Sequence, residues 1–276
     1  MTLPFDFTFS QSKLQDYLDC PRRFYLRHIK NLAWPALEIE PPLVMEKQVE
    51  IGSRFHQMVH QFLIGFPSAI IRQHVQDEPI LVKWWDNFER CALIKRLGKN
   101  RLVEHMLALT VADFRVVAVY DLIAWDTPDV ITIIDWKTAQ HRPKRRSMLA
   151  RVQTGLYPYI VKRSFHHISG MSETQPEIVF TYWYSEFPTL PETISYTAQM
   201  DQSFDEQLHN LISKIASLDH DGFDMTENIR HCLYCRYRSY CNRGSTAGDM
   251  NAMDDIYQIP EYDPDPEQTL KDKSDA

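Results

Sequence analysis

The chain has 276 residues, 44% hydrophobic and 24% charged, enough for one sizeable core or two small ones. No apolar run approaches the roughly 20 residues that span a bilayer, and the N-terminus MTLPFDFTFS carries no signal-peptide pattern. A cytoplasmic protein with no membrane partner is therefore expected. The net charge of −7 belongs to residues 245–276, which hold nine Asp or Glu against two Lys. That stretch has few large apolar residues and is expected to be a disordered acidic tail, able to dock a protein partner. Residues 1–244 sum to zero and are expected to form one folded domain. Its neutrality does not exclude a nucleic-acid partner.

In chain order, FTFSQSKLQDYLDCPRRFYLRHI predicts a short helix capped by Ser10, a break at Cys20-Pro21, and a second helix with Pro21 first. Residues 47–64 predict a helix with Phe55, Val59 and Leu63 on its core face and His56 and His60 one turn apart. Residues 81–109 predict one long helix or two shorter ones punctuated by Gly98, with Cys91 buried as a small apolar residue.

Two apolar runs follow, AVYDLIAW and VITIIDWK, split by the turn former DTPD, which predicts a β-hairpin. Each run carries a carboxylate, Asp121 and Asp135, where burial is expected and an unpaired charge is costly. A loop centred on Pro128 sets Asp121 opposite Asp135, with Lys137 on the same face as Asp135. Two carboxylates that close need a cation between them or a proton on one. A divalent metal with a nearby ammonium satisfies this; a solvated Asp-Lys ion pair is the alternative.

After the hairpin come Arg142, Lys144, Arg145, Arg146 and Arg151, then a helical pattern, MLARVQTGLYPYIVK, with Pro158 inside it as an expected kink. EIVFTYWYS and TISYTAQM predict two strands. SFDEQLHNLISKIASL predicts a helix with a Ser203–Glu206 capping box and an apolar face of Phe204, Leu208, Leu211, Ile212 and Ile215. Near the end, Cys232-x2-Cys235-x5-Cys241 is too tightly spaced for core residues, and Cys20 is the natural fourth ligand. Four thiolates hold either structural zinc or an iron–sulfur cluster.

Taken together, these segments over residues 8–241 resemble the PD-(D/E)XK nuclease superfamily, in particular its RecB-like branch, which includes the CRISPR-associated exonucleases. SQSKLQDYLDCPRRFYL is similar to the family's entry segment, and GSRFHQMVH to its Gly-x-x-x-His motif at Gly52 and His56. AVYDLI and IIDWKT resemble its paired acid strands, and QTGLY its Gln-x-x-x-Tyr helix. The resemblance implies a restriction-endonuclease-like α/β fold, a small mixed sheet flanked by helices, with a helical N-terminal part. It implies His56, Asp121 and Asp135 as ligands of Mg²⁺ or Mn²⁺, and Lys137, Gln153 and Tyr157 as catalytic residues. Cys20, Cys232, Cys235 and Cys241 would hold a 4Fe–4S cluster that clasps the two ends of the domain. The implied activity is metal-dependent cleavage of DNA, as an exonuclease on single strands or ends, in recombination, repair or CRISPR adaptation. A catalytically silent DNA-binding scaffold subunit is the rival reading. Phosphates would be met by residues 142–151 and by Arg22, Arg23, Arg236 and Arg238. No GxxxxGK[ST] loop is present, so a helicase or CRISPR adaptation protein would be a separate partner. The chain departs from the pattern at Ala118, where Gly is common, and at Pro158; Glu104 and His60 are possible additions to the metal site.

Overall fold

The structure, a computed structural model, describes residues 3–33, 42–127, 129–139, 141–169 and 176–245. The expected tail beyond residue 245 and the hairpin tip at Pro128 lie outside these. None of the described helices is long and apolar enough to cross a membrane.

A short strand β1 (Thr8–Ser10) leads into α1 (Gln11–Asp19), and the Ser10 hydroxyl accepts from Lys13 N at 3.3 Å as the expected cap. Such a cap contributes about 1 kcal/mol. Cys20 then breaks the helix in extended backbone, and α2 (Pro21–Phe24) starts with the proline, continuing as a π-helical turn to Ile29. Asp16 of α1 fastens that turn. It accepts from Arg27 at 3.1 Å and His28 at 2.8 Å and forms an ion pair with Arg23 at 2.8 Å.

Burial pushes the Asp16 carboxyl up, but Arg23, His28 and Arg27 outweigh it and hold it at about 2, below its ordinary 3.8. A depressed carboxylate stabilises the fold above its unfolded pKa, and that stability is lost as pH falls through the folded one. The difference corresponds to about 2 kcal/mol, lost between about pH 4 and 2. His28 is pushed down from 6.5 by burial, which also erodes stability as pH falls through that value. Thermal unfolding across pH should show a loss below pH 4 that is smaller in Asp16→Asn than in the wild type.

Helices α3 (Pro42–Leu63), α4 (Ser68–Gln73), α5 (Pro79–Arg90) and α6 (Ala92–Lys95) precede the sheet. Strands β2 (Asn100–Val111), β3 (Phe114–Trp125) and β4 (Val130–Lys137) form its centre, followed by α7 (Arg145–Leu149) and α8 (Val152–Ser169). β5 (Glu177–Tyr184), β6 (Glu192–Tyr196) and α9 (Ala198–Ser217) complete it. The strand order is β1-β3-β4-β5-β6, with β2 along the other edge of β3. The sheet is mixed: β1 with β3 and β4 with β5 are parallel, and the other pairings are antiparallel. One face packs on α1, α2, α8 and α9, the other on α3 and α5. On the second face Phe55, Trp84, Trp85, Phe88, Trp136 and Trp183 form one buried aromatic cluster, with Cys91 beside it as expected. This arrangement fits a restriction-endonuclease-like α/β core.

Three sequence expectations need correction. Residues 100–109 are strand, not helix: β2 pairs with β3 from Asn100 to Val111 except at Glu104, and that pairing overrides the helix-favouring Leu, Met, Ala and Glu content. Helix α9 starts at Ala198, so TISYTAQM is strand only to Tyr196. Its cap is Thr197, accepting from Met200 N at 3.2 Å, while Ser203 lies inside the helix and accepts from Gln207. The expected core face of α9 holds, with Leu208, Ile212 and Ile215 buried and Phe204 and Leu211 packed beside them. Helix α8 runs through Pro158.

Candidate active site

The site lies where the sheet forks. On one edge of β3, Arg115–Val117 pair with β1 and Leu122–Ala124 with β4, leaving residues 118–121 between the two. Strand phase also shifts here. Tyr120 packs on the α8 side and Leu122 on the α3 side, although residues two apart in a regular strand share a face. Opposite the break, Glu104 of β2 takes φ 46°. A left-handed glutamate inside a strand costs on the order of 1–3 kcal/mol, and such strain persists where the surroundings enforce it.

The β3–β4 register, Leu122 with Ile134, brings Asp121 next in line to Asp135, as the hairpin predicted. Asp121 Oδ2 accepts from the Trp136 backbone N–H at 2.7 Å, so the side chain takes a bond that a regular ladder would give to backbone. Its Oδ1 lies 3.4 Å from His56 Nδ1. His56, Glu104 and Asp121 each present a ligand atom within 4.8 Å of the others, and among the described residues they are the one such group. Burial would push His56 down, but Asp121, Glu104 and Asp135 outweigh it and raise the ring to about 9. The pocket is therefore built to stabilise positive charge. Two carboxylates and an imidazole are the donor set of a hard divalent cation with one nitrogen ligand. Ligation would require His56 to give up that proton.

Gly52 explains how α3 reaches the sheet. A Cβ there would stand 2.9 Å from Thr138 Oγ1, just past the end of β4. Gly52→Val should lift α3 and displace His56, one turn on. Misplacement of a functional group by about 1 Å costs on the order of 10² in rate, so whatever reaction the site performs should slow by about that factor, with circular dichroism unchanged.

Asp135 and Lys137 project to the α8 face and are buried. Lys137 Nζ lies 2.7 Å from Asp135 Oδ2. Gln153 of α8 bridges them, donating to Asp135 Oδ1 at 2.6 Å and accepting from Lys137 Nζ at 3.1 Å. Lys137 Nζ also sits 5.5 Å above the Tyr182 ring. Gln153 thus joins the predicted acid and lysine. Asp135 acts electrostatically on His56 but stands outside the three-residue ligand group, as does His60. Tyr157 is buried with its ring 4.7 Å from Tyr120 and 5.8 Å from Phe180, and its carbonyl accepts from the Tyr120 hydroxyl. Glu104 takes the metal-group place that the sequence pattern left open.

Cys20, Cys232, Cys235 and Cys241 gather at the C-terminal end of α1, while Cys91 lies in the aromatic cluster on the other face of the sheet. All five are free thiols. Cys20 and Cys232 both raise the thiols of Cys235 and Cys241, beyond the larger effect of burial, and Cys235 reaches about 11. Arg243 Nη1 donates to Cys232 Sγ at 3.2 Å, and Thr226 N to Cys20 Sγ at 3.5 Å. The same ends are joined by Arg22 N to Asp224 O at 2.9 Å and the Tyr237 hydroxyl to Leu32 O at 3.0 Å. Among the expected phosphate contacts, Arg23 is committed to Asp16 and Asp19, and Arg238 donates to the Arg243 carbonyl.

A family model described as the PD-(D/E)XK nuclease superfamily matches residues 8–242. Among the solved structures that align with the chain are these two. One, from Eubacterium rectale, is described as a candidate exonuclease: 8% identical, covering 80% of this chain and 85% of that one, with a TM-score of 0.49. The other, SSO0001, is 14% identical over 85% of each chain, with a TM-score of 0.39. A comparison with curated proteins finds none that matches.

Proposed function

This chain belongs to the PD-(D/E)XK nuclease superfamily, and from that premise we propose that residues 1–244 work as a Mg²⁺- or Mn²⁺-dependent exonuclease on single-stranded DNA or DNA ends. The observation that carries the reading is the adjacency of a cation-seeking group, His56, Glu104 and Asp121, to a buried lysine fixed by Asp135 and Gln153. A bound divalent ion supplies neutralisation of the charge that builds on the phosphate and the leaving oxygen. The remaining work falls to the chain. Asp135 and Gln153 hold the Lys137 ammonium in one position, so it orients water and meets developing negative charge without rearranging. Asp121, held by the Trp136 amide, presents its other oxygen toward His56, where with Glu104 it would hold the cation.

The RecB-like branch and the 4Fe–4S cluster belong to the same proposal. Four cysteines with N–H donors aimed at two of their sulfurs fit a thiolate-bound cluster, in which such bonds tune the group. The test is degradation of end-labelled single-stranded DNA by anaerobically purified protein in Mg²⁺, Mn²⁺ and EDTA. Cleavage with either metal and none in EDTA is expected, and the product ladder gives polarity. A cluster-loaded protein inert with both metals would favour the scaffold reading instead.

A further inference from the structure

Beyond the hydrolytic residues, one buried carboxylate on the sheet holds two guanidinium groups. Glu192 of β6 is 6% exposed, a burial that glutamate tolerates only when paired. Arg142 Nη2 donates to its Oε2 at 2.6 Å, and Arg145 Nη1 bonds its Oε1. Two cations on one anion leave a surplus positive charge, and the arginines keep donors in reserve. Arg142 Nε is buried with no hydrogen-bond partner among the described residues, and the Arg145 side chain is 57% exposed. A buried N–H without an acceptor is uncommon and marks a place that water or a ligand completes.

The location gives the group its meaning. Glu192 pairs in register with Tyr182, and Tyr182 with Asp135. Residues in register on neighbouring strands share a face, so Glu192 lies on the Asp135 face two strands away, about 10 Å distant. At about 3.4 Å of rise per nucleotide, that is about three nucleotides along a strand. Arg142 and Arg145 follow Lys137 on the segment leaving β4, so the two guanidinium groups are tied to the lysine strand by a few residues of chain.

We propose that Arg142 and Arg145, held in place by Glu192, form a phosphate-binding subsite that engages the DNA strand beside the hydrolytic centre. Glu192 is its positioning residue. Guanidinium groups suit phosphate oxygens through paired N–H donors, and pre-positioning by Glu192 lowers the ordering cost of binding. The bearer of the phosphate, a strand end or an internal diester, rests on the nuclease reading.

The test is fluorescence anisotropy of the full chain in EDTA, where nothing is cut. Internally labelled single-stranded oligonucleotides with a 5′-hydroxyl, a 5′-phosphate or a 3′-phosphate are the probes. Arg145→Ala, at an exposed position that leaves the fold intact, should weaken binding about tenfold at low salt and reduce the salt slope by about one. Arg145→Lys should fall between it and the wild type, and Glu192→Gln should weaken binding in the same sense. A penalty confined to one end-phosphorylated oligonucleotide assigns the subsite to that terminal phosphate; an equal penalty on all three assigns it to an internal one. Arg145→Ala and Glu192→Gln binding within about twofold of wild type on every probe, with the slope unchanged, would overturn the proposal. A wild type that binds through Arg145 yet cuts with neither metal would overturn the nuclease reading and leave the subsite standing.

Discussion

Asp135→Asn/Lys137→Met is expected to cleave DNA at least 10³-fold more slowly than wild type while remaining as stable or more so. The two side chains are 6% and 2% exposed, and their charges lie 2.7 Å apart. Burying such a pair costs desolvation that its attraction does not fully return, so replacing both with neutral groups of similar size is neutral or stabilising by roughly 1–4 kcal/mol. Either single variant leaves one charge buried without its counter-ion and should lose about 3–5 kcal/mol, with Gln153 softening the loss in Lys137→Met. Urea unfolding of the four proteins measures this directly. A double variant far less stable than wild type would mean that the pair is retained for the fold rather than for chemistry.

The cysteine cluster should dominate the stability of the domain. In the proposed cluster Cys20 would be joined to residues more than 200 positions away, closing most of the chain into one loop. Chain-entropy reasoning for so long a loop gives about 5 kcal/mol, by analogy with a disulfide. In a chain of this size that corresponds to roughly 10 °C or more in Tm. Cys235→Ser should therefore abolish absorbance near about 400 nm and lower the anaerobic Tm by that amount. The drop would fall short of complete unfolding, because the Arg22–Asp224 backbone bond, the Tyr237 hydroxyl on Leu32 and the stacking of Phe223 on Tyr25 still hold the ends together. Purified protein containing zinc with no such absorbance would point to the zinc alternative. An unchanged Tm in Cys235→Ser would show that the cysteines bear no structural load.

The hairpin was legible because its chemistry is anomalous. Asp121 and Asp135 interrupt apolar strands, and the loop length alone set their register. Gln153 was legible only through the resemblance of QTGLY to the family's Gln-x-x-x-Tyr helix. Strand β2 was not, because LVEHMLAL satisfies a helical pattern and only the partner strand β3 decides its conformation. Missing β2 left Glu104 without a register, although it lies opposite Asp121 at the phase shift and enters the ligand group. Thr197 was passed over because Ser203 and Glu206 mimic a capping box six residues further on. Glu192 gave no signal at all: its meaning comes from burial beside Arg142 and Arg145, which sequence spacing does not show. The α3 contact is an intermediate case, since Gly52 and His56 stand out as a motif but the reason for the glycine is Thr138.

The measurement that bears most directly on the hairpin as a hydrolytic centre is single-turnover cleavage of an end-labelled single-stranded oligonucleotide. Cluster-loaded wild type and Lys137→Met would be compared in Mg²⁺ and Mn²⁺, with DNA binding measured on the same samples in EDTA. Trimming by the wild type, with Lys137→Met binding equally well but cutting about 10³-fold more slowly, is the expected result. Equal cutting by both proteins, or a wild type that binds DNA and cuts it with neither metal, would contradict it.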